Sequence, residues 1–126
     1  MAKKKILIIE DDQAMIDSLT ILLKNNYDVD SAKDGNEGLE KIKTVKPDLI
    51  ILDLLMPERD GFDVCKKLKT DEKLKKIPVI ALSSFTEMYG MSFGDEATKG
   101  SLPSDVYLSK PLDPETLVRE IKQYIG

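Results

Sequence analysis

The sequence predicts a doubly wound α/β fold, in which helices cover both faces of a five-stranded parallel sheet. Short aliphatic runs alternate along the chain with amphipathic stretches whose apolar residues recur at helical spacing. The aliphatic runs are continuous, which is typical of strands buried on both faces. Strands that alternate with helices are joined by right-handed crossovers and therefore run parallel. The length of 126 residues predicts a single domain, 1–126, with enough chain to form a core.

Five strands are predicted from the apolar runs. The strongest runs are 5–9, 49–52 and 79–82, and each ends at a polar side chain. A weaker strand is predicted at 27–32, before the turn pair Asp34-Gly35, and the last strand is predicted at 106–108. Because the strongest runs contain only aliphatic residues past their first position, we expect these strands to be buried on both faces.

Helices are predicted between these strands. The stretches 12–24, 36–43 and 62–68 have helical periodicity, and a last helix is predicted to start at Asp113-Pro114. In stretch 12–24 one stripe of apolar side chains is predicted to face the core: Met15, Ile16, Leu19, Leu22 and Leu23. Asp12 is expected to cap this helix.

The segment 86–104 differs from the rest of the chain. Gly90 and Gly94 lie one helical turn apart, and each interior glycine costs a helix about 1 kcal/mol relative to alanine. A single regular helix is therefore not expected here, and we expect this to be the most mobile part of the unmodified protein.

Composition excludes several classes of function. The chain has 19 basic and 23 acidic residues, a net charge of −4, which argues against direct binding of nucleic acid. No apolar run approaches the roughly 20 residues that span a bilayer, so we expect no membrane insertion and a cytoplasmic location. The chain has no histidine, and Cys65 is its only cysteine. These absences exclude histidine-dependent catalysis, a cysteine-cluster metal site and an internal disulfide.

Polar residues gather at the predicted carboxyl ends of four strands. They are Glu10 and Asp11, Asp53, Ser83, and Lys110 just past the last strand. Ligands of open parallel sheets bind at this edge. Any one of these residues could be a helix cap or a solvated side chain, but five of them at consecutive strand ends are hard to explain in that way. Neighbouring carboxylates repel unless a proton or a cation lies between them. An all-oxygen site suits Mg²⁺, or Mn²⁺, rather than zinc.

Four motifs give the chain a resemblance to the receiver domains of two-component response regulators. They are Ile-Ile-Glu-Asp-Asp at 8–12, Pro-Asp-Leu-Ile-Ile-Leu-Asp-Leu-Leu-Met-Pro at 47–57 with Asp60-Gly61 after it, Pro-Val-Ile-Ala-Leu-Ser at 78–83, and Tyr-Leu-Ser-Lys-Pro at 107–111. Their order and spacing cover essentially the whole chain. The resemblance implies a (βα)5 fold of the flavodoxin-like kind.

The resemblance also implies a role for each matching residue. Asp53 would accept a phosphoryl group, with Ser83 and Lys110 contacting that group. Metal ligands would be Glu10 (through water), Asp11, Asp53 and the backbone carbonyl of Leu55. Ser83 and Tyr107 would be the switch residues that move on phosphorylation. The implied cofactor is Mg²⁺.

The implied partners are a histidine kinase or a histidine phosphotransfer protein, because this chain has no histidine to carry the phosphoryl group. Phosphorylation would change the face around the last two helices and the last strand, and so control a downstream output domain or protein. The chain would catalyse only its own phosphorylation and slow dephosphorylation, and would not be an enzyme acting on an outside substrate. The sequence leaves open whether the receiver stands alone or belongs to a longer regulator or hybrid kinase.

Three other functions have less support in the sequence. A Mg²⁺-dependent phosphohydrolase could use Asp53 as nucleophile, but Leu55 stands where its second aspartate is expected. A nucleotide-binding module is disfavoured because no glycine-rich phosphate loop follows any predicted strand. A receiver kept only as a constitutive scaffold is disfavoured by the complete set of site residues.

Overall fold

The sheet carries the polar residues singled out above. In the computed structural model, which describes residues 3–53, 61–84, 106–110 and 113–126, its strands are β1 (Lys5–Ile9), β2 (Asp28–Ala32), β3 (Leu49–Asp53), β4 (Val79–Ser84) and β5 (Val106–Lys110). All neighbouring strands pair in parallel, in the order β2-β1-β3-β4-β5. The predicted parallel five-stranded sheet is therefore confirmed, and β3 lies at its centre.

Helices connect these strands and cover both faces of the sheet. In the described part of the chain they are α1 (Gln13–Leu23), α2 (Gly35–Val45), α3 (Gly61–Thr70) and α4 (Pro114–Ile125). None of them has the length and apolar content that a membrane crossing requires. The prediction for segment 86–104 lies outside the described residues.

Two apolar layers hold the helices on the sheet. On one face, α1 and α4 pack on Ile6, Ile8 and Ile51. On the other face, α2 and α3 pack on the strand residues that alternate with these along the chain, among them Leu7, Ile9 and Ile50. Successive side chains of a strand point to opposite faces, so a strand covered on both faces must be aliphatic at every position. This is the physical reason for the continuous aliphatic runs in the sequence.

Helix ends follow the predicted capping chemistry in part. The Asp12 carboxylate accepts the backbone N–H of Ala14 at 3.0 Å, as predicted. Asp34, predicted as part of a turn, also caps a helix, because its carboxylate accepts the N–H of Glu37 at 2.8 Å. Asp113 occupies the N-cap position of α4, but its carboxylate accepts the hydroxyl of Thr116 at 2.7 Å instead of a backbone amide.

Several element bounds differ from the predictions. Tyr27 was predicted to begin β2, but it precedes the strand and its side chain is buried in the core beside α1. Lys110 was predicted just past the last strand and is instead its final residue, because β5 continues in register with β4 up to Ser84. Helix α2 runs past its predicted end and stops at Lys46, whose backbone is left-handed at φ 53°.

Candidate functional site

Three of the predicted site residues meet at the carboxyl edge of the sheet. Glu10, Asp11 and Asp53 each offer a carboxylate oxygen, and the three oxygens lie within 4.8 Å of one another. Glu10 and Asp11 follow β1 directly, and Asp53 is the last residue of β3. We refer to these three residues as the acidic cluster.

The strand register brings the acidic cluster together. Ile9 of β1 lies opposite Leu52 of β3, and each strand then turns polar at its next residue. Glu10 is held at this edge because its backbone N–H still donates to the carbonyl of Ala32 in β2, at 3.0 Å. Residues 43 positions apart in the sequence therefore become neighbours because β1 and β3 are adjacent and parallel.

Burial makes the charge of the acidic cluster costly. Glu10 is 1% exposed and Asp53 is 3% exposed, whereas Asp11 lies at the surface. At an effective dielectric constant of about 20, two unit charges 4.8 Å apart repel by about 3.5 kcal/mol. One Glu10 oxygen accepts the backbone N–H of Asp11 at 3.1 Å, which offsets part of the lost hydration. A cation between the carboxylates would remove the repulsion.

The geometry of the cluster fits a magnesium ion. Mg²⁺ holds oxygen ligands about 2.1 Å away in an octahedron, so neighbouring ligands lie about 3 Å apart and opposite ones about 4.2 Å apart. The upper limit of 4.8 Å on the separations of the three oxygens is close to this spread. Asp11 is exposed, so its carboxylate is in contact with water.

Asp12 does not join the cluster. Its carboxylate is turned to the first turn of α1, where it caps the N–H of Ala14. The group of possible ligands found among the described residues comprises Glu10, Asp11 and Asp53 only. The third acid of the motif at 8–12 is therefore a helix cap, as the sequence predicted.

The remaining predicted residues are placed only by their backbones or lie outside the described part. Ser83 lies in β4 and Lys110 in β5, at the same edge of the sheet as the cluster. Tyr107 of β5 pairs with Ala81 of β4. The predictions for the side chains of Ser83, Tyr107 and Lys110 fall outside the described part of the structure, which covers only the backbone of these residues. The prediction for Leu55 does so as well.

A comparison with protein families agrees with the topology and with the acidic cluster. A sequence model of the response regulator receiver domain matches residues 6–122 of the chain. This chain belongs to the response regulator receiver domain family. The predicted function as a receiver in two-component signalling is thereby confirmed at the level of the family.

Two relatives of this receiver domain are transcriptional regulators by name. It is 36% identical over 120 residues to the alkaline phosphatase synthesis transcriptional regulatory protein PhoP of Bacillus subtilis, covering 94% of this chain and 47% of PhoP. It is 38% identical over 119 residues to the DNA-binding dual master transcriptional regulator RpaA of Synechocystis, covering 94% of this chain and 47% of RpaA. The chain thus spans about half the length of these relatives. The sequence analysis expected no direct binding of nucleic acid. The relatives do not support this expectation, because RpaA is named as DNA-binding.

Solved structures confirm the fold class. The chemotaxis protein CheY4 of Vibrio cholerae superimposes on this receiver domain with a TM-score of 0.84 at 26% identity, covering 98% of this chain and all (100%) of CheY4. The predicted doubly wound, flavodoxin-like fold is therefore confirmed.

Proposed function

We propose that this receiver domain is a phosphoacceptor switch in which Asp53 takes the phosphoryl group. The observation that carries the proposal is the convergence of three carboxylates, two of them buried, at the carboxyl edge of a parallel sheet. Asp53 is the member at the centre of this edge, because β3 lies between β1 and β4. Burial and a fixed strand position hold its carboxylate for attack, while Glu10 and Asp11 lie on its β1 side.

The proposed reaction moves a phosphoryl group from a histidine to an aspartate. A carboxylate oxygen of Asp53 attacks phosphorus in line with the P–N bond of a phosphohistidine on the partner, a histidine kinase or a histidine phosphotransfer protein. The P–O bond forms as the P–N bond breaks, and the released imidazole takes up a proton. When bound, Mg²⁺ would supply the positive charge that balances the phosphoryl oxygens and the carboxylates. Asp11 and Asp53 would hold it directly, Glu10 through water, and the Leu55 carbonyl would complete the set. Mn²⁺ fits the same oxygen ligands.

Further roles are proposed for residues of β4 and β5. Ser83 and Lys110 would contact the phosphoryl group, the first through its hydroxyl and the second through its charge. Their support is the strand order, in which β4 lies beside β3 and β5 beside β4, with the carboxyl ends of both at the edge that holds the cluster. Ser83 and Tyr107 would move on phosphorylation, and so change the face around β5 and α4 that controls a downstream output domain or protein.

The proposal also covers the extent of the domain, its location and the reactions that it catalyses. Residues 1–126 would form one receiver domain in the cytoplasm, supported by the family match over 6–122. The domain would catalyse its own phosphorylation and slow hydrolysis of the aspartyl phosphate, and would not turn over an outside substrate. Attack of water on the phosphorus would release inorganic phosphate, restore the Asp53 carboxylate and end the signal.

The test is phosphorylation with a small donor. Incubation with acetyl phosphate and Mg²⁺ should add one phosphoryl group to the chain, measured by intact mass spectrometry, and Asp53→Asn should add none. Asp11→Asn should slow labelling strongly, because it removes a charged metal ligand but leaves the acceptor. Asp28→Asn, at an exposed position of β2, is the matched control and should label like the wild type.

Two results would contradict the proposal. Labelling of Asp53→Asn at the wild-type extent would move the acceptor elsewhere. Rapid turnover of p-nitrophenyl phosphate by the wild type would instead indicate the phosphohydrolase that the sequence left as an alternative.

A further inference from the structure

A second site candidate lies at the opposite edge of the sheet from the acidic cluster. A groove of about 580 Å³ opens where the chain enters β3 and β4, beside Pro47 and Ile77. A smaller hollow of about 370 Å³ continues it between α2 and α3, and the two share Lys43, Asp71 and Leu74 in their lining. We call the joined space the α2–α3 groove. Its volume lies in the range of sites that bind ligands.

The rim of the α2–α3 groove is basic. It comprises Lys43, Lys46, Lys67 and Lys73, all of them exposed. Among the residues that the structure describes, these four ammonium groups form no ion pair. Asp71 is the one acidic residue of the lining, and its carboxylate already accepts the backbone N–H groups of residues 73 and 74 at 2.8 and 3.2 Å. A chain with a net charge of −4 therefore presents an excess of positive charge here.

The floor of the groove is aliphatic. Ile42 and Pro47 are buried, while Leu74 and Ile77 pack against the core and remain partly exposed. The wall that carries Leu74 and Ile77 is held in place, because the Lys69 ammonium donates to the carbonyls of residues 75 and 77 at 3.1 and 2.8 Å. Apolar surface that stays open on a fixed wall favours a ligand with an apolar group.

Lys46 adds an independent observation. It ends α2 with φ 53°, and Lys46 is the only described residue other than glycine with a positive φ. Glycine or asparagine is the usual residue at such a helix end, because a side chain there is strained. The chain instead places a lysine there, and that lysine lines the groove.

We propose that the α2–α3 groove binds an acidic segment of a partner protein that carries a large aliphatic side chain. The aliphatic side chain would lie on the floor, and carboxylates on either side of it would pair with the lysine rim. The inference goes beyond the phosphoacceptor role, because the groove lies at the amino ends of β3 and β4 and the acidic cluster at their carboxyl edge.

Nucleic acid fits the groove less well. A phosphate backbone would use the lysines but leave the aliphatic floor without a partner. The described lining contains no aromatic ring on which a base could stack and no arginine to grip a phosphate with two hydrogen bonds. An acidic peptide with an aliphatic anchor uses both the rim and the floor.

The test is a titration of the ¹⁵N-labelled, unphosphorylated chain followed by NMR. The probe is the peptide acetyl-Glu-Asp-Glu-Leu-Leu-Glu-Asp-Glu-amide in low salt. We expect saturable shifts of amides lining the groove. Replacing both leucines of the peptide by serine should weaken binding about tenfold or more, because burial of one leucine is worth that factor. The triple variant Lys43→Gln, Lys46→Gly, Lys73→Gln should also weaken it about tenfold.

A second triple variant separates the contribution of the groove lysines to binding from the effect of net charge. Lys24→Gln, Lys33→Gln, Lys122→Gln removes the same charge from exposed positions outside the groove and should bind within about twofold of the wild type. Lys46→Gly suits the left-handed backbone, so the groove variant should stay folded, as its amide spectrum would report.

Three outcomes would overturn the proposal. The first is no saturable shift in the groove with the leucine peptide. The second is equal weakening by the two triple variants, which would leave only diffuse charge attraction. The third is equal or tighter binding of the serine peptide or of an oligothymidylate of the same charge, which would assign the surface to polyanions. Because Asp53 is unmodified throughout, none of these results depends on the phosphorylation site.

Discussion

Replacing Gly38 by alanine should destabilise the receiver domain, although alanine favours a helix. Gly38 lies in α2 and faces Ile9 of β1. A Cβ atom at Gly38 would lie 2.6 Å from Cδ1, 2.9 Å from Cγ1 and 3.1 Å from Cγ2 of Ile9. Ordinary contacts of a Cβ atom begin at about 3.4 Å. The helix and the strand must therefore separate, or Ile9 must leave its rotamer.

The magnitude follows from two opposing terms. Rotation of the Ile9 side chain can move Cδ1 away, but Cγ1 and Cγ2 both branch from Cβ, so turning one away brings the other closer. Ile9 is fully buried, with 0% exposure, so it has no free space to enter. Overpacking of this kind costs about 1 to 3 kcal/mol, and alanine recovers about 1 kcal/mol of helix propensity. We expect a net loss of about 1 kcal/mol and a melting temperature about 4 °C lower.

The assay is urea unfolding followed by circular dichroism, with the wild type and Gly38→Ala each measured again in an Ile9→Ala background. Without the Ile9 branches the steric term vanishes, so Gly38→Ala should stabilise that background by about 1 kcal/mol. The reasoning is refuted if Gly38→Ala is as stable as the wild type, or if its effect is the same in both backgrounds.

Three further predictions concern a cap, the metal and pH. Asp12→Ala should cost about 1 kcal/mol of unfolding free energy in urea, because it removes the bond to the Ala14 amide, while Asp12→Asn should cost less; equal losses would contradict the cap. Mg²⁺ at about 100 times its dissociation constant should add about 2.7 kcal/mol to the unfolding free energy of the wild type, and equal gain in Asp11→Asn would argue against the cluster. Burial raises the pKa of the Tyr27 hydroxyl. Its contribution to stability is therefore complete below about pH 10 and is lost as pH rises through the raised pKa. Unfolding at increasing pH should show a smaller alkaline loss in Tyr27→Phe, and an unchanged loss would refute this.

The strands could be predicted because their signal is local. A strand covered on both faces needs aliphatic side chains at every position, and residues 6–9, 49–52 and 79–82 have them. The ends of elements were harder to predict. Tyr27 has the β-propensity of a strand residue, but the core beside α1 takes its side chain. Helix α2 ends at Lys46 in a left-handed conformation that glycine usually adopts, so the glycine signal is missing and the stop signal in the sequence is Pro47, which follows directly.

Part of the candidate site could also be predicted from local sequence signals. Glu10 and Asp53 stand out because each follows an aliphatic run, and parallel strands end at one edge. Asp11 stands out with Glu10 for the same reason. The inclusion of Leu55 came from the resemblance to receivers, because a backbone carbonyl has no signature of its own in a sequence. The α2–α3 groove was not predicted, since the hollow exists only when α2, α3 and the chain before β4 are packed together.

By itself, the sequence determined the fold class, the positions of the strands and the chemistry available, since these depend on side-chain type and on near neighbours along the chain. The tertiary structure alone decided how closely the predicted acids approach one another. Asp12 turns to the first turn of α1, while Asp53, far away in sequence, joins Glu10 and Asp11 within 4.8 Å. The physical reason is the order of strands in the sheet. Placing β3 directly beside β1 sets the distance between these charges, and that order depends on how helices on both faces bury the apolar surface of the whole chain.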